Sequence, residues 1–266
     1  MILTIDVGNT NVVMGCVENG EVKSVCRLAT NTNDLSSDYA LKMRQSFEFD
    51  GIDYNNFSGA ILSSVVPQLN RAIKTAVKKL TGLDCMVVGA GLKTGVNVKI
   101  DDPGTLAGDL ITGAVGALSI YKPPIIVVDM GTATTIVALD KDGAYLGGAI
   151  IPGVKLSYSA LSSGTSLLPN IAIEAPAKCI GSNTVDSMKS GAVYGTAALV
   201  DGMIDRMEAE LGEPVTVVAT GGLSGTIVPY CKREIHYEPA LLLKGLEILY
   251  EKNAKRRPRS NDANEK

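Results

Sequence analysis

The chain has no tryptophan, three phenylalanines and one histidine, His236, in 266 residues. Basic and aromatic residues are nowhere interleaved, and the net charge is −3 with a pI near 5.3. No nucleic-acid footprint is therefore expected. A single histidine precludes a multi-histidine metal centre, and His236 reads as a surface or partly packed residue. Cysteine is also sparse. Cys16, Cys26, Cys85, Cys179 and Cys231 are odd in number and contain no C-x-x-C pair, which excludes a disulfide framework or zinc site. They read as reduced thiols of a cytoplasmic protein. No apolar run reaches the ~20 residues that a membrane span requires. The opening MILTIDVGNT lacks the basic region and cleavage site of a signal peptide, so no membrane partner is expected. Two nucleotide motifs are missing as well. Gly89–Gly95 (GAGLKTG) carries Leu92 where a P-loop needs glycine, and no G-x-G-x-x-G follows a strand.

Hydrophobic residues at 45% and charged residues at 20% are ordinary for a globular protein. The informative feature is a repeat. Met1–Thr10 (MILTIDVGNT) and Pro123–Thr132 (PPIIVVDMGT, continuing ATT) are apolar, β-branched runs that end in Asp-x-Gly and a threonine-bearing turn. Such a run delivers a carboxylate, Asp6 or Asp129, to the end of a buried strand. The glycine is expected to allow a tight turn with positive φ and close backbone approach to a ligand. Hydroxyls of Thr10, Thr132, Thr134 and Thr135 add donors for phosphate oxygens, and the carboxylate suits hydrated Mg²⁺. One Asp-x-Gly turn closes an ordinary hairpin; two at matched positions point to homologous halves facing each other. The halves are set at residues 1–117 and 118–252, with a polar tail, 253–266, expected to be disordered.

Alternating residues predict antiparallel strands at Ile2–Ile5, Val12–Val17 and Glu21–Leu28. A helix is expected over Asp34–Phe47, capped near Ser36 or Ser37. Strand Gly59–Val66, helix Pro67–Leu80 and strand Asp84–Val88 complete the first series. The second opens on a helix, Thr105–Tyr121, followed by strands Ile125–Asp129, Thr134–Leu139 and Ala144–Ala149. A long helix Asn183–Leu211, strand Val215–Thr220 and helix Ala240–Glu251 follow.

Leu106, Leu110, Ala114 and Leu118 form an apolar stripe expected in the core. Asp109 lies off it with Thr105, Thr112, Gly113 and Gly116, a small polar face suited to line a cleft. A first-turn carboxylate can serve the helix dipole or act as a general base. Gly147–Gly153 (GGAIIPG) is open to two readings: a structural turn, or close approach to a ligand or partner chain. Gly221-Gly222 could let an adenine ring lie against the backbone. Gly191, Gly195, Ala198 and Gly202 make a small-residue stripe that costs helix propensity and suits close helix contact, within the chain or in a homodimer. Asn183 is expected to cap this helix with Asp186.

Taken together, DVGNTN (Asp6–Asn11), SSVVP (Ser63–Pro67), DPGTLAGD (Asp102–Asp109), DMGTATT (Asp129–Thr135), GGAIIPG, NTVDSMKSG (Asn183–Gly191) and LKGL (Leu243–Leu246) resemble the type III pantothenate kinases of the actin-like superfamily. The resemblance implies an α/β, duplicated ribonuclease-H-like fold with two half-domains around an ATP cleft, and a homodimer. It implies ATP-dependent phosphorylation of pantothenate, the first step of coenzyme A biosynthesis, with Mg²⁺ and K⁺ or NH₄⁺ as cofactors. By position, Asp6, Val7, Gly8, Asn9, Thr10, Asn11, Val12 and Val13 would hold the ATP phosphates, with Asp6 on Mg²⁺ directly or through water. Thr132 would contact ATP, and Asp129 would bind the monovalent cation. Asp109 would be the catalytic base. Ala107, Gly108, Asp109 and Leu110 would line the pantothenate site, which Thr184 would reach from the other subunit.

Two positions depart from the family pattern. Its Gly-x-Asp-Arg string reads Ala107-Gly108-Asp109-Leu110 here, so an arginine able to pair with the pantothenate carboxylate is missing. A tyrosine common three residues before the motif's proline is Ile100. Leu110 is expected to point into the core, leaving the carboxylate to donors near Thr184, or to Lys155 or Lys189. These departures keep open a non-catalytic ATP-binding regulator, and another small-molecule kinase of the superfamily is the remaining alternative.

Overall fold

A computed structural model describes residues 1–254. Most of the predicted tail lies outside the described residues; its first two positions, Asn253 and Ala254, instead complete the closing helix. The chain divides into two compact units. One holds residues 1–95, 104–116 and the closing helix from Leu242; the other holds 96–103 and 117–241.

In the first unit, β1 (Ile2–Val7) runs antiparallel to β2 (Asn11–Glu18), which pairs with β3 (Glu21–Ala29). Strands β4 (Gly59–Ser64) and β5 (Cys85–Val87) join in parallel, giving the order β3-β2-β1-β4-β5. One face of this sheet buries Leu3, Ile5, Met14 and Leu62 against two helices. Helix α1 (Ser36–Phe49) contributes Tyr39, Met43 and Phe47 at helical spacing, and α2 (Pro67–Thr81) contributes Leu69, Ile73 and Val77. Pro67 starts α2 without losing a ladder bond, and Gly82 ends it in the left-handed region. The cap of α1 differs from expectation. Leu35, not a serine, stands at the cap, and the Asp38 carboxylate at the third helical position reaches back to accept the Leu35 N–H at 2.8 Å, the acid's half of a capping box.

Helix α3 (Gly108–Ile120) follows, and then the second unit. Here β6 (Ile125–Met130), β7 (Ala133–Leu139) and β8 (Tyr145–Pro152) form the antiparallel meander. Helices α4 (Val154–Ser163), α5 (Thr184–Ser190), α6 (Thr196–Leu211) and α7 (Ser224–Ile227) come next, with β9 (Thr216–Thr220) between the last two and β10 (His236–Tyr237) after them. Helix α8 (Leu241–Ala254) closes the chain. The sheet order is β10-β9-β6-β7-β8, with β9 parallel to β6 and β10 parallel to β9. This repeats the first sheet strand for strand. Asp6 and Asp129 are each the fifth residue of a six-residue strand; Asp6 lies beside Ser63, and Asp129 beside Thr220.

Three expectations are corrected. The long helix is two helices joined by a π-helical turn, Gly191–Gly195. The predicted core stripe of α3 is displaced: Ile111, Ala114, Val115 and Ala117 are buried, whereas Leu106, Leu110 and Leu118 are half-buried. The Thr112 and Gly116 part of the small face of α3 is taken up by α8, which packs against it. A Cβ on Gly245 would overlap the Thr112 carbonyl and lie 3.1 Å from the Gly116 nitrogen. Small residues there let two helix backbones approach. Among the described residues no helix is long and apolar enough to cross a membrane.

Candidate active site

Within the first unit, the central strand β1 carries Asp6, half-buried, to its C-terminal end beside a short hairpin loop. Gly8 N–H donates to the Asn11 carbonyl at 2.9 Å, and the Thr30 hydroxyl donates to the Gly8 carbonyl at 2.7 Å, fixing the loop from two sides. Asn9, Thr10 and Asn11 are exposed at its tip. Val7 and Val12 are fully buried, so they can offer a ligand only backbone groups; Val13 is half-buried. Neither Gly8 nor Gly131 has the positive φ expected of it. Gly8 is small for another reason: a Cβ there would stand 3.3 Å from the Asn11 oxygen that closes the loop.

Asp109 is the second residue of α3, in its first turn, preceded by half-buried Ala107 and Gly108. Its Oδ1 accepts the N–H of Leu110 at 2.8 Å. Burial pushes the carboxyl above the ordinary aspartate range, opposed by the N–H groups of Leu110 and Asp109 itself. Gly108 faces Ser63: a Cβ on Gly108 would lie 3.3 Å from the Ser63 Oγ and 3.4 Å from Val88. Asp6, Ser63 and the Gly108-Asp109 turn thus form one neighbourhood. Sequence alone attaches no role to Ser63. The signal was a pair of hydroxyls, Ser63 and Ser64, inside the otherwise apolar run GAILSSVV, but only the β1–β4 register sets Ser63 beside Asp6.

Within the second unit, Asp129 is half-buried at the matching strand position. Gly221, at φ +92°, is the left-handed glycine of this site: a Cβ on it would overlap the Asp129 Oδ1 and come within 2.6 Å of the Met130 nitrogen. Gly222 faces open space. Thr132 is exposed, and its carbonyl accepts the N–H of Gly153 at 3.1 Å. Gly148 and Gly153 abut the backbones of Ile136 and of Gly131-Thr132, so both serve close approach within the sheet. Ile100 lies on the strap that bridges Val98 to Tyr145, half-buried beside Gly147.

Thr184 is exposed as the first residue of α5. It lines a groove of about 550 Å³ with Tyr158, Leu161, Leu168 and Met188. Asn183 caps α5 as predicted, accepting from Asp186 N–H at 2.9 Å and donating to its carboxylate at 2.7 Å. Lys189 is engaged by Glu174 at 2.5 Å, while Lys155 is exposed on α4. His236 is exposed and stacks on Tyr121, ring centres 4.9 Å apart. Among the described residues no three His, Cys, Asp or Glu side chains cluster as a metal cage. A site built from one carboxylate and neutral oxygens fits Mg²⁺ that arrives with phosphates and water.

Comparison with known proteins adds the family. The type III pantothenate kinase family model matches residues 2–206. A type III pantothenate kinase from Moorella thermoacetica is 40% identical over 253 residues, 95% of this chain and 100% of its own. Among solved structures, a chain described as a Baf family transcriptional activator from Campylobacter jejuni aligns with TM-score 0.56 and 19% identity, covering 95% of this chain and 99% of its own. Component A of (R)-2-hydroxyglutaryl-CoA dehydratase from Acidaminococcus fermentans aligns with TM-score 0.55 and 16% identity, covering 96% and 99%. These structural likenesses concern the fold alone, which is the duplicated ribonuclease-H-like, actin-like α/β fold.

Proposed function

The chain belongs to the type III pantothenate kinase family, and on that premise we propose how its own residues carry out the family's reaction. The protein is an enzyme that transfers the γ-phosphoryl group of ATP to pantothenate, giving 4'-phosphopantothenate in coenzyme A biosynthesis. The observation that carries the residue assignment is the placement of Asp109. Its carboxylate is half-buried at a helix start, raised in proton affinity, and one residue from a glycine packed against the strand beside Asp6.

Asp109 takes the proton of the pantothenate hydroxyl as that oxygen attacks phosphorus. The work of the remaining residues is positioning and charge stabilisation, as in other phosphoryl transfers. Backbone groups of Asp6–Val13 and the exposed side chains of Asn9, Thr10 and Asn11 hold the phosphates, and Thr132 contacts ATP. Asp6 with its neighbouring oxygens would hold Mg²⁺, which supplies charge neutralisation on the phosphates when bound. Asp129 would hold K⁺ or NH₄⁺ in the space that Gly221 leaves beside its carboxylate. The open space at Gly222 suits the adenine ring.

Ala107, Gly108 and Leu110 line the pantothenate pocket, and we assign Thr184 of a second copy to the same pocket in a homodimer. With leucine at 110 the pantothenate carboxylate falls to hydroxyl donors at Thr184 or to Lys155, since Lys189 is already paired. The free thiols suit the cytoplasm; burial pushes Cys16, Cys26, Cys85 and Cys231 up to about 12, leaving them inert. Measuring ADP release with and without pantothenate, in Mg²⁺ and K⁺, tests the activity. Release that ignores pantothenate would refute it.

A further inference from the structure

Two buried side-chain atoms among the described residues have no hydrogen-bond partner, and one is the Ser63 Oγ. Ser63 is 0% exposed. A buried hydroxyl without a partner forfeits its hydration and gets nothing back, so it calls for an explanation. Packing gives none, because alanine would fill nearly the same space at no polar cost.

The position supplies one. Ser63 is the fifth residue of β4, paired in parallel register with Asp6 on β1. Just beyond it, Val65 N–H donates to the Val7 carbonyl at 3.0 Å, so the two strands stay zipped up to the phosphate loop. On its other side, the hydroxyl faces Gly108, close enough that a Cβ there would sit 3.3 Å away. The unpaired oxygen therefore lies between the strand end that carries the phosphate loop and the turn that carries the base.

The chemistry of the neighbourhood selects its role. Asp6 and the ionised Asp109 are acceptors only, and each repels an approaching phosphoryl oxygen. Ser63 is the hydrogen-bond donor among the three side chains. We propose that the Ser63 hydroxyl is a catalytic group that donates a hydrogen bond to a non-bridging oxygen of the phosphoryl group in flight. This rests on the pantothenate kinase reading and extends it. Ser63 forms no covalent bond: the P–O bond to ADP breaks, the P–O bond to pantothenate forms, its proton passes to Asp109, and Ser63 keeps its own. A donor aimed at charge that develops in the transition state acts on turnover more than on binding.

Steady-state kinetics and thermal unfolding of Ser63→Ala and Ser63→Cys test this. In Ser63→Ala, kcat should fall by roughly 10–10²-fold, with KM for ATP and for pantothenate each within about threefold of wild type. Its ligand-free Tm should match or exceed that of wild type, since an unpaired buried polar group has gone. Ser63→Cys, with a weak S–H donor, should fall between the two in kcat. Wild-type kcat in Ser63→Ala would overturn the proposal, as would a raised KM with unchanged kcat. A lowered Tm with normal turnover per folded molecule would assign Ser63 to packing and also overturn it. Wild-type protein that releases no ADP on adding pantothenate would instead remove the kinase reading beneath it.

Discussion

At the scale of residues, Asp109 is held in a compromise. Burial raises the proton affinity of its carboxyl, and two backbone N–H groups pull it back. Because the folded carboxyl titrates above the unfolded one, its contribution to stability is fully present below the unfolded value, about 3.9, and is lost as pH rises through the folded value. At pH 7 the charged group is therefore a net cost to folding. Asp109→Asn should lower kcat by roughly 10²–10⁴-fold while its Tm at pH 7 stays equal to or above wild type. The acid limb of kcat/KM for the wild-type enzyme should lie above the ordinary aspartate range; a limb at or below that range would remove Asp109 as the base. Asp140 and Glu208 have the opposite sign. Lys99 and Arg233 hold these carboxyls below their ordinary values, so their contributions are present above the unfolded values and fade on acidification. Both are partly exposed surface pairs and weigh little. Gly221 is the other residue whose identity matters. Alanine there is strained at φ +92° and would displace the Asp129 carboxylate. Gly221→Ala should lose stimulation by K⁺, read as equal rates in K⁺ and Na⁺, and retained K⁺ stimulation would detach Asp129 from the cation.

At the scale of elements, the contact of α3 with α8 decides where Asp109 stands. Gly245→Ala replaces a poor helix former and gains about 1 kcal/mol of helix propensity. The added methyl meets backbone, the Thr112 carbonyl, which cannot swing aside. Overpacking of this kind costs typically 1–3 kcal/mol, so the net effect should be a lower Tm in thermal unfolding, with reduced kcat because the proposed base, Asp109, moves with α3. An unchanged Tm would mean that the helices separate freely. This contact also marks a limit of what the sequence reveals. The strands β1, β2, β6 and β7 were legible because their apolar, β-branched runs end in recognisable turns. The face of α3 was not: Thr112, Gly113 and Gly116 look the same whether they line a cleft or admit a neighbouring backbone. Helix α4 was invisible because four of its ten residues are serine, a modest helix former. The π-turn at Gly191–Gly195 was hidden because one extra residue barely disturbs helical spacing. Of the candidate residues, the strand-end positions of Asp6 and Asp129 and the helix-start position of Asp109 were legible. Ser63 was not, since its meaning depends on the register of two strands more than fifty residues apart in sequence.

At the scale of the whole molecule, the duplication is one of topology, and the chain does not respect it at its end. Helix α8 belongs with the first unit, where Leu243 packs over Gly15 and Glu247 accepts the Gly20 N–H at 2.7 Å. Contacts between residues so distant in sequence are not written in local pattern, so the halves drawn at residue 117 could not include them. The second unit carries the features that bear on assembly. Gly191, Gly195 and Ala198 are exposed, as are Leu167, Ile180 and Leu199, and Thr184 opens the same run of helix. Gly195 separates a folding effect from an assembly effect. Its backbone is helical at φ −64°, and a Cβ on it would meet nothing within 4 Å in the single chain. Gly195→Leu should therefore leave the isolated chain folded and slightly more stable, by up to about 1 kcal/mol. If two copies meet along this stripe, the leucine overfills the contact. Sedimentation velocity should then show wild type as a dimer and the variant as a monomer, with pantothenate-dependent turnover lost along with the dimer because Thr184 no longer reaches the partner's pocket. A variant that stays dimeric and active would move the interface elsewhere. A wild-type monomer with full activity at nanomolar concentration would remove the shared pocket altogether.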